Sequence, residues 1–173
     1  MRSKAPQGRP RAGIRKYQDD AKQCEIALDC QIGINSKVVN TPSTVKSLHL
    51  DDSKELYAGL FYLRDPRDSS SGGDLEVYRW KSATGVSFYD KRSIRPEAAE
   101  LAKVIKYAPN TFAWLLNGLD AIHGVSVRSV TPFPRRLVNI IAEVYPTVSR
   151  LFDERPYQEK ASFLERVWAR VRA

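Results

Sequence analysis

Residues 24–35, CEIALDCQIGIN, decide the fold class. Cys24, Ile26, Leu28, Cys30, Ile32 and Ile34 alternate with Glu25, Ala27, Asp29, Gln31, Gly33 and Asn35. A helix would repeat its apolar positions every three or four residues, whereas a strand with one wet face repeats them every two. The stretch is therefore expected to be a long, half-buried strand with its apolar row inward. Shorter strand signals follow at residues 56–63, 74–80, 111–116, 121–127 and 135–144, with a weaker one in GVSFYD (residues 85–90). Turn-rich segments such as RDPRDSSSGG (residues 64–73) separate them. Pro96 opens a possible helical turn in RPEAAELA, and Phe163, Val167 and Val171 stand at helical spacing near the C-terminus. Many short strands with few helices point to a mostly β sandwich or barrel.

Composition bounds the rest. With 173 residues, 42% hydrophobic and 28% charged, the chain suits one folded domain, taken as residues 13–173. Residues 1–12, rich in Arg, Pro, Gly and Lys, read as a disordered basic arm, and residues 13–22 as a short helix. No apolar run is long enough to cross a bilayer, so no membrane partner is expected. The N-terminus has no hydrophobic core of a secretory signal. Cys24 and Cys30 lie on one face of a strand, roughly 20 Å apart, too far to bridge. They read as reduced, buried thiols of a cytoplasmic protein. The net charge of +8 is partly carried by the N-terminal tail and by Arg166, Arg170 and Arg172. It permits an acidic partner, nucleic acid included, but solvated basic ends explain it as well.

Chemistry begins at His49-Leu50-Asp51. Strand residues two apart point the same way, so this imidazole and carboxylate can converge on one point. Alone the pair is weak, because such spacing is common by chance. His123, the only other histidine, completes a set of two histidines and one carboxylate. Such a set holds non-haem iron(II) on one face and leaves other positions open; zinc accepts similar ligands. Arg135 and Arg136 then open the strand RRLVNIIAEV. A guanidinium fork in an apolar strand needs an anion, and a carboxylate matches it with two parallel hydrogen bonds.

In this order the stretches LHLDDSKELYAGLFYLRDPRDSSSGGDLEVYRW (residues 48–80) and KYAPNTFAWLLNGLDAIHGVSVRSVTPFPRRLVNIIAEV (residues 106–144) resemble the iron(II)- and 2-oxoglutarate-dependent dioxygenases, within them the prolyl-hydroxylase-like branch. The resemblance implies a double-stranded β-helix (jelly-roll, cupin-like) of two antiparallel sheets with a few flanking helices. It implies His49, Asp51 and His123 as iron ligands. It also implies that 2-oxoglutarate is held at its far carboxylate by Arg135 or Arg136, with help from Tyr62. Asn139 shares the face of Arg135 and favours it, whereas Arg136 shares its face with Val138, Ile140 and Ala142, an expected apolar lining. The implied reaction consumes O2 and 2-oxoglutarate, gives succinate and CO2, and hydroxylates a C–H of a small metabolite, amino acid or protein side chain. Residues 64–73 and 82–97 are expected to border the pocket. One departure stands out: only 48 residues precede His49, where relatives carry several elements packed on the larger sheet. That sheet would then be covered by the C-terminal helix or by a second subunit. The competing reading is a non-catalytic binding module on the same barrel, holding a metal, a sugar or nucleic acid.

Overall fold

A computed structural model describes residues 12–14, 24–81, 92–144 and 151–152. The chain is mostly β, in two sheets. The larger has the order β1-β2-β8-β3-β6 and the smaller β5-β4-β7. Their ranges are β1 Ala12–Ile14, β2 Ile26–Asn35, β3 Glu55–Tyr62, β4 Leu75–Trp80, β5 Ala99–Ile105, β6 Thr111–Leu116, β7 His123–Val125 and β8 Arg135–Val144. Apart from the weak one at residues 85–90, the strands expected from period and turn residues are present, most of them shifted by a residue or two. A 3-10 turn at Pro96–Ala98 is the only helical element among the described residues, and β5 starts directly after it.

Two expectations near the N-terminus are corrected. Ala12, placed in the unstructured arm, and Gly13 and Ile14, placed in a helix, form β1. That strand pairs in parallel with β2, so the larger sheet is mixed, whereas the smaller is antiparallel. The weak strand at residues 85–90 and the C-terminal helix lie outside the described residues, as do most of both basic ends.

A third correction concerns β2. Its alternation is real, but the faces are reversed: Ile32 is 76% exposed and Ile34 65%, while Ala27 is buried. Cys30 is exposed and Cys24 half-buried, and neither is in a disulfide, so the expectation of buried thiols is also corrected. The β2–β8 register puts Ile34 beside Arg136, Ile32 beside Val138 and Cys30 beside Ile140, and residues paired in this way share a face. The apolar row of β8 therefore points outward too, and Phe112, Trp114 and Leu116 of β6 extend the exposed apolar surface. On β2 the inner face carries small and polar residues, Ala27, Asp29, Gln31, Gly33 and Asn35, while the neighbouring strands turn Leu60, Tyr62 and Leu137 inward. For β2 that is the inverse of an ordinary half-buried strand, and it fits a strand that faces the polar part of the interior.

Apolar packing between the sheets gathers at one end, where Tyr62, Leu75, Tyr107, Ala113 and Leu137 form a buried cluster. A second cluster, Leu50, Ile94, Ala99 and Ile122, anchors the segment carrying His49 to the smaller sheet. Gly72 and Gly73 make the turn into β4 at φ of 77° and 75°, a conformation that side chains with a Cβ rarely tolerate. A Cβ on Gly72 would sit 1.9 Å from the Val127 carbonyl oxygen. Gly72→Ala is accordingly expected to cost about 3 kcal/mol or more, from backbone strain and the clash together. Chemical denaturation checks this; a loss below about 1 kcal/mol would mean that the turn relaxes freely.

Candidate metal centre

His49 and His123 are held face to face by the backbone. The His49 amide donates to the His123 carbonyl at 2.9 Å, and the His123 amide returns a bond to His49 at 3.1 Å. Both side chains of such a pair project to the same side of the sheet, and the ring centroids are 4.3 Å apart. Each ring is oriented by a carbonyl: Nδ1 of His49 lies 2.7 Å from the Ser47 oxygen and Nδ1 of His123 2.9 Å from the Ala121 oxygen. A proton on Nδ1 satisfies that contact and leaves Nε2 free as a ligand, the arrangement that orients metal-binding histidines.

Asp51 closes the set. Its two oxygens lie 3.4 Å from Nε2 of His49 and 3.4 Å from Nε2 of His123. Two donors each about 2.1 Å from one ion, at angles of roughly 90–110°, stand about 3.0–3.4 Å apart. One ligand atom from each of the three residues lies within 4.8 Å of the others. The spacing leaves room for a single divalent ion, and the 3.4 Å contacts are longer than well-formed hydrogen bonds.

The electrostatics agree. Burial alone would raise the Asp51 carboxyl, but its hydrogen-bond and charge interactions with His123 and His49 outweigh that and hold it well below the usual carboxylate range. Burial lowers His49, helped by the charge of His123. In His123 burial is outweighed by Asp51, which raises it. A half-buried carboxylate thus recruits positive charge at this point, as a metal ion would supply it.

The three residues open onto a cavity of about 310 Å³ whose walls include Gln31, Glu55, Asn139 and Arg135. Arg135 is only 4% exposed. Its Nε donates to the Gly73 carbonyl at 2.9 Å and its Nη1 to Asn35 Oδ1 at 3.3 Å. The guanidinium lies over the rings of Tyr62 and Tyr107, 5.0 and 5.1 Å from their centroids. Tyr62 is fully buried and its phenol is raised, chiefly by burial, so it remains protonated. The guanidinium acts on that phenol through its charge rather than through a well-aligned hydrogen bond. Arg135 Nη2, Tyr62 Oη and Asn139 Oδ1 are all buried without a hydrogen-bond partner. No carboxylate pairs with Arg135 among the described residues. A buried cation and a buried hydroxyl left unsatisfied side by side are costly in isolation, and an anionic ligand relieves both.

Arg136 goes elsewhere. It is exposed on the outer side of β8, and Val138, Ile140 and Ala142, which share its face, are half-buried or buried there and do not line the cavity. Of the two arginines, the structure brings only Arg135 to the cavity. Residues 64–73 do lie near it: Gly73 accepts from Arg135, and Asp68 and Ser70 hold Arg128. Of residues 82–97, those from 82 to 91 are outside the described part.

Sequence reasoning missed Gln31, Asn35 and Glu55 as cavity residues. The first two sit on the polar face of β2, which a half-buried strand should turn to water; a signal existed in the run of small and amide side chains at Gln31, Gly33 and Asn35. Glu55 is raised by burial and by the charge of Asp51, and nothing in its sequence surroundings marks it. No family model, curated protein or solved structure matches the chain.

Proposed function

We propose that the protein is an iron(II)- and 2-oxoglutarate-dependent dioxygenase of the prolyl-hydroxylase-like branch, built on a double-stranded β-helix. The observation that carries this reading is the buried, uncompensated guanidinium of Arg135 in the same cavity as the His49, Asp51 and His123 donor set. The strand order supports the fold. Along the chain, β2, β3, β6 and β8 fall in one sheet, while β4, β5, β7 and the His49 segment bridged to β7 fall with the other. Successive strands thus wind between two sheets, as in a jelly roll.

In this reading the donor set grips iron from one side and leaves positions open toward the cavity. Iron, when bound, supplies O2 activation coupled to the oxidative decarboxylation of 2-oxoglutarate to succinate and CO2. The chain's own residues bind and orient. Arg135 Nη2 and Tyr62 Oη donate to the far carboxylate of 2-oxoglutarate, which is charge-matched and shielded from water there. Asn35 and the Gly73 carbonyl fix the guanidinium in place beforehand. The substrate is a small molecule or an amino-acid or protein side chain, hydroxylated at a C–H. No described helix is long and apolar enough to cross a membrane, and two cysteines outside any disulfide suit a reducing, cytoplasmic setting.

A metal-binding module without turnover needs the donor set but has no use for the unpaired arginine. Succinate release from 2-oxoglutarate, measured with and without iron(II) and O2, tests the proposal. Succinate formed only when both are present supports it; iron binding with no 2-oxoglutarate consumed leaves the module.

A further inference from the structure

A second cavity, of about 400 Å³, adjoins the first and shares Asn35, Val45, Val125 and Arg135 with it. Its wall carries three cations, Lys37, Arg128 and Arg135, with the hydroxyls of Ser36, Ser43 and Ser126, and no acidic residue among the described ones lines it. Arg128 is 3% exposed. Its Nε donates to Ser70 Oγ at 3.0 Å and its Nη2 to Asp68 at 2.5 Å, yet Nη1 is buried with no partner. Arg135 repeats the pattern, with Nε and Nη1 engaged and Nη2 empty. The two side chains run past the same backbone point: a Cβ on Gly73 would meet Arg128 Cδ at 3.2 Å and Arg135 Cδ at 3.6 Å.

The charges around this point do not balance. The guanidiniums of Arg64, Arg128 and Arg135 stand 5.3, 5.6 and 5.1 Å from the centre of the Tyr107 ring. Asp68 serves both Arg64, at 3.4 Å, and Arg128. The nearby Asp74 is taken by Lys106 and the Tyr107 amide. Among the described residues these three guanidiniums thus have one carboxylate partner, Asp68, which pairs with Arg64 and Arg128 and not with Arg135. Buried charges are retained when paired, and one bound carboxylate at Arg135 leaves the set still positive.

We propose that this second cavity is an oxyanion subsite, in which Arg128 Nη1 and Lys37 hold a carboxylate or phosphate group of the substrate. As a substrate subsite it rests on the dioxygenase reading; as an anion site it rests on the arginines alone. An acid group held there anchors one end of the molecule a cavity away from the metal and leaves the remainder to reach toward it. The substrate class is then an acidic small molecule or an acidic side chain.

Calorimetric titration of the full chain with sodium sulfate (tetrahedral) and sodium acetate (planar) at low ionic strength tests this. It is run once on the protein alone and once with manganese(II) and 2-oxoglutarate saturating. One equivalent of at least one anion is expected to bind in both conditions, and the stronger of the two identifies the group. Lys37→Glu, at an exposed position, is expected to weaken binding about tenfold or more with the melting temperature unchanged. Arg128→Lys keeps the charge beside Asp68 but removes the free nitrogen, and should weaken binding similarly. If that variant is misfolded by circular dichroism, Lys37→Glu decides alone. Failure of both anions to bind, unchanged affinity in Lys37→Glu, or displacement by 2-oxoglutarate overturns the subsite. Anion binding without 2-oxoglutarate turnover would remove the dioxygenase and keep the site; turnover without anion binding would remove only the subsite.

Discussion

Alanine at His49, Asp51 or His123 is expected to lower iron(II) affinity by more than about a hundredfold and to abolish succinate formation. Loss of a supporting residue behind a ligand already costs 10–100-fold in typical metal sites, and here a ligand itself is lost from a set of three. The three substitutions should differ in what they leave. Asp51→Ala removes the only carboxylate of the set and frees His123 from the charge that raises it, so two neutral imidazoles remain. His123→Ala keeps the His49–Asp51 pair, and its backbone bonds to His49 are main-chain, so the sheet should survive. Iron binding is read by equilibrium dialysis and metal analysis, with circular dichroism as the folding control. A His123→Ala protein that binds iron at full strength and still consumes 2-oxoglutarate would show that the donor set is misassigned.

The second large effect falls on Arg135. On the proposed function, its replacement by alanine would strand the far carboxylate of 2-oxoglutarate in a poorly solvated cavity, at a cost of about 3 kcal/mol, or about a hundredfold in affinity. Iron binding should be spared, because no ligand is touched. Arg136, one residue on, points to the opposite face and is exposed, so Arg136→Ala should change affinity by about 1 kcal/mol or less. Tyr62→Phe would remove the second proposed donor to that group and should fall between them. Titration of 2-oxoglutarate into the iron-free and manganese(II)-loaded variants gives these numbers. Equal, small effects from Arg135 and Arg136 would mean that the cosubstrate carboxylate is held elsewhere or that 2-oxoglutarate is not the cosubstrate.

Much of the architecture was legible because its signals are local. Period two in residues 24–35 and β-rich runs between Gly, Pro, Asp and Ser turns mark strands whatever lies across from them. The spacing of His49 and Asp51 is equally local. The facing of β2 was not legible, since alternation reports that two faces differ and not which of them is inward. An interior that hosts Gln31, Asn35, Asp51 and Arg135 inverts the usual rule, and the outer row of Ile32 and Ile34 is the consequence. The same inversion resolved Arg135 from Arg136: the apolar companions of Arg136 do not line the cavity. β1 is three residues long and defined by pairing with β2 alone, and no short-range pattern announces such a strand. The Arg64, Asp68 and Arg128 cluster joins residues 60 positions apart, and each of those residues reads singly as an ordinary turn charge.

The central claim is that one cavity takes iron(II) and 2-oxoglutarate together. Under anaerobic conditions, iron(II) is added to the protein, then 2-oxoglutarate, and the visible spectrum is followed. A metal-to-ligand charge-transfer band that grows to one equivalent of each, and that Arg135→Ala shifts to much higher 2-oxoglutarate concentration, is the expected result. Iron bound by His49, Asp51 and His123 with no such band at saturating 2-oxoglutarate would contradict the account.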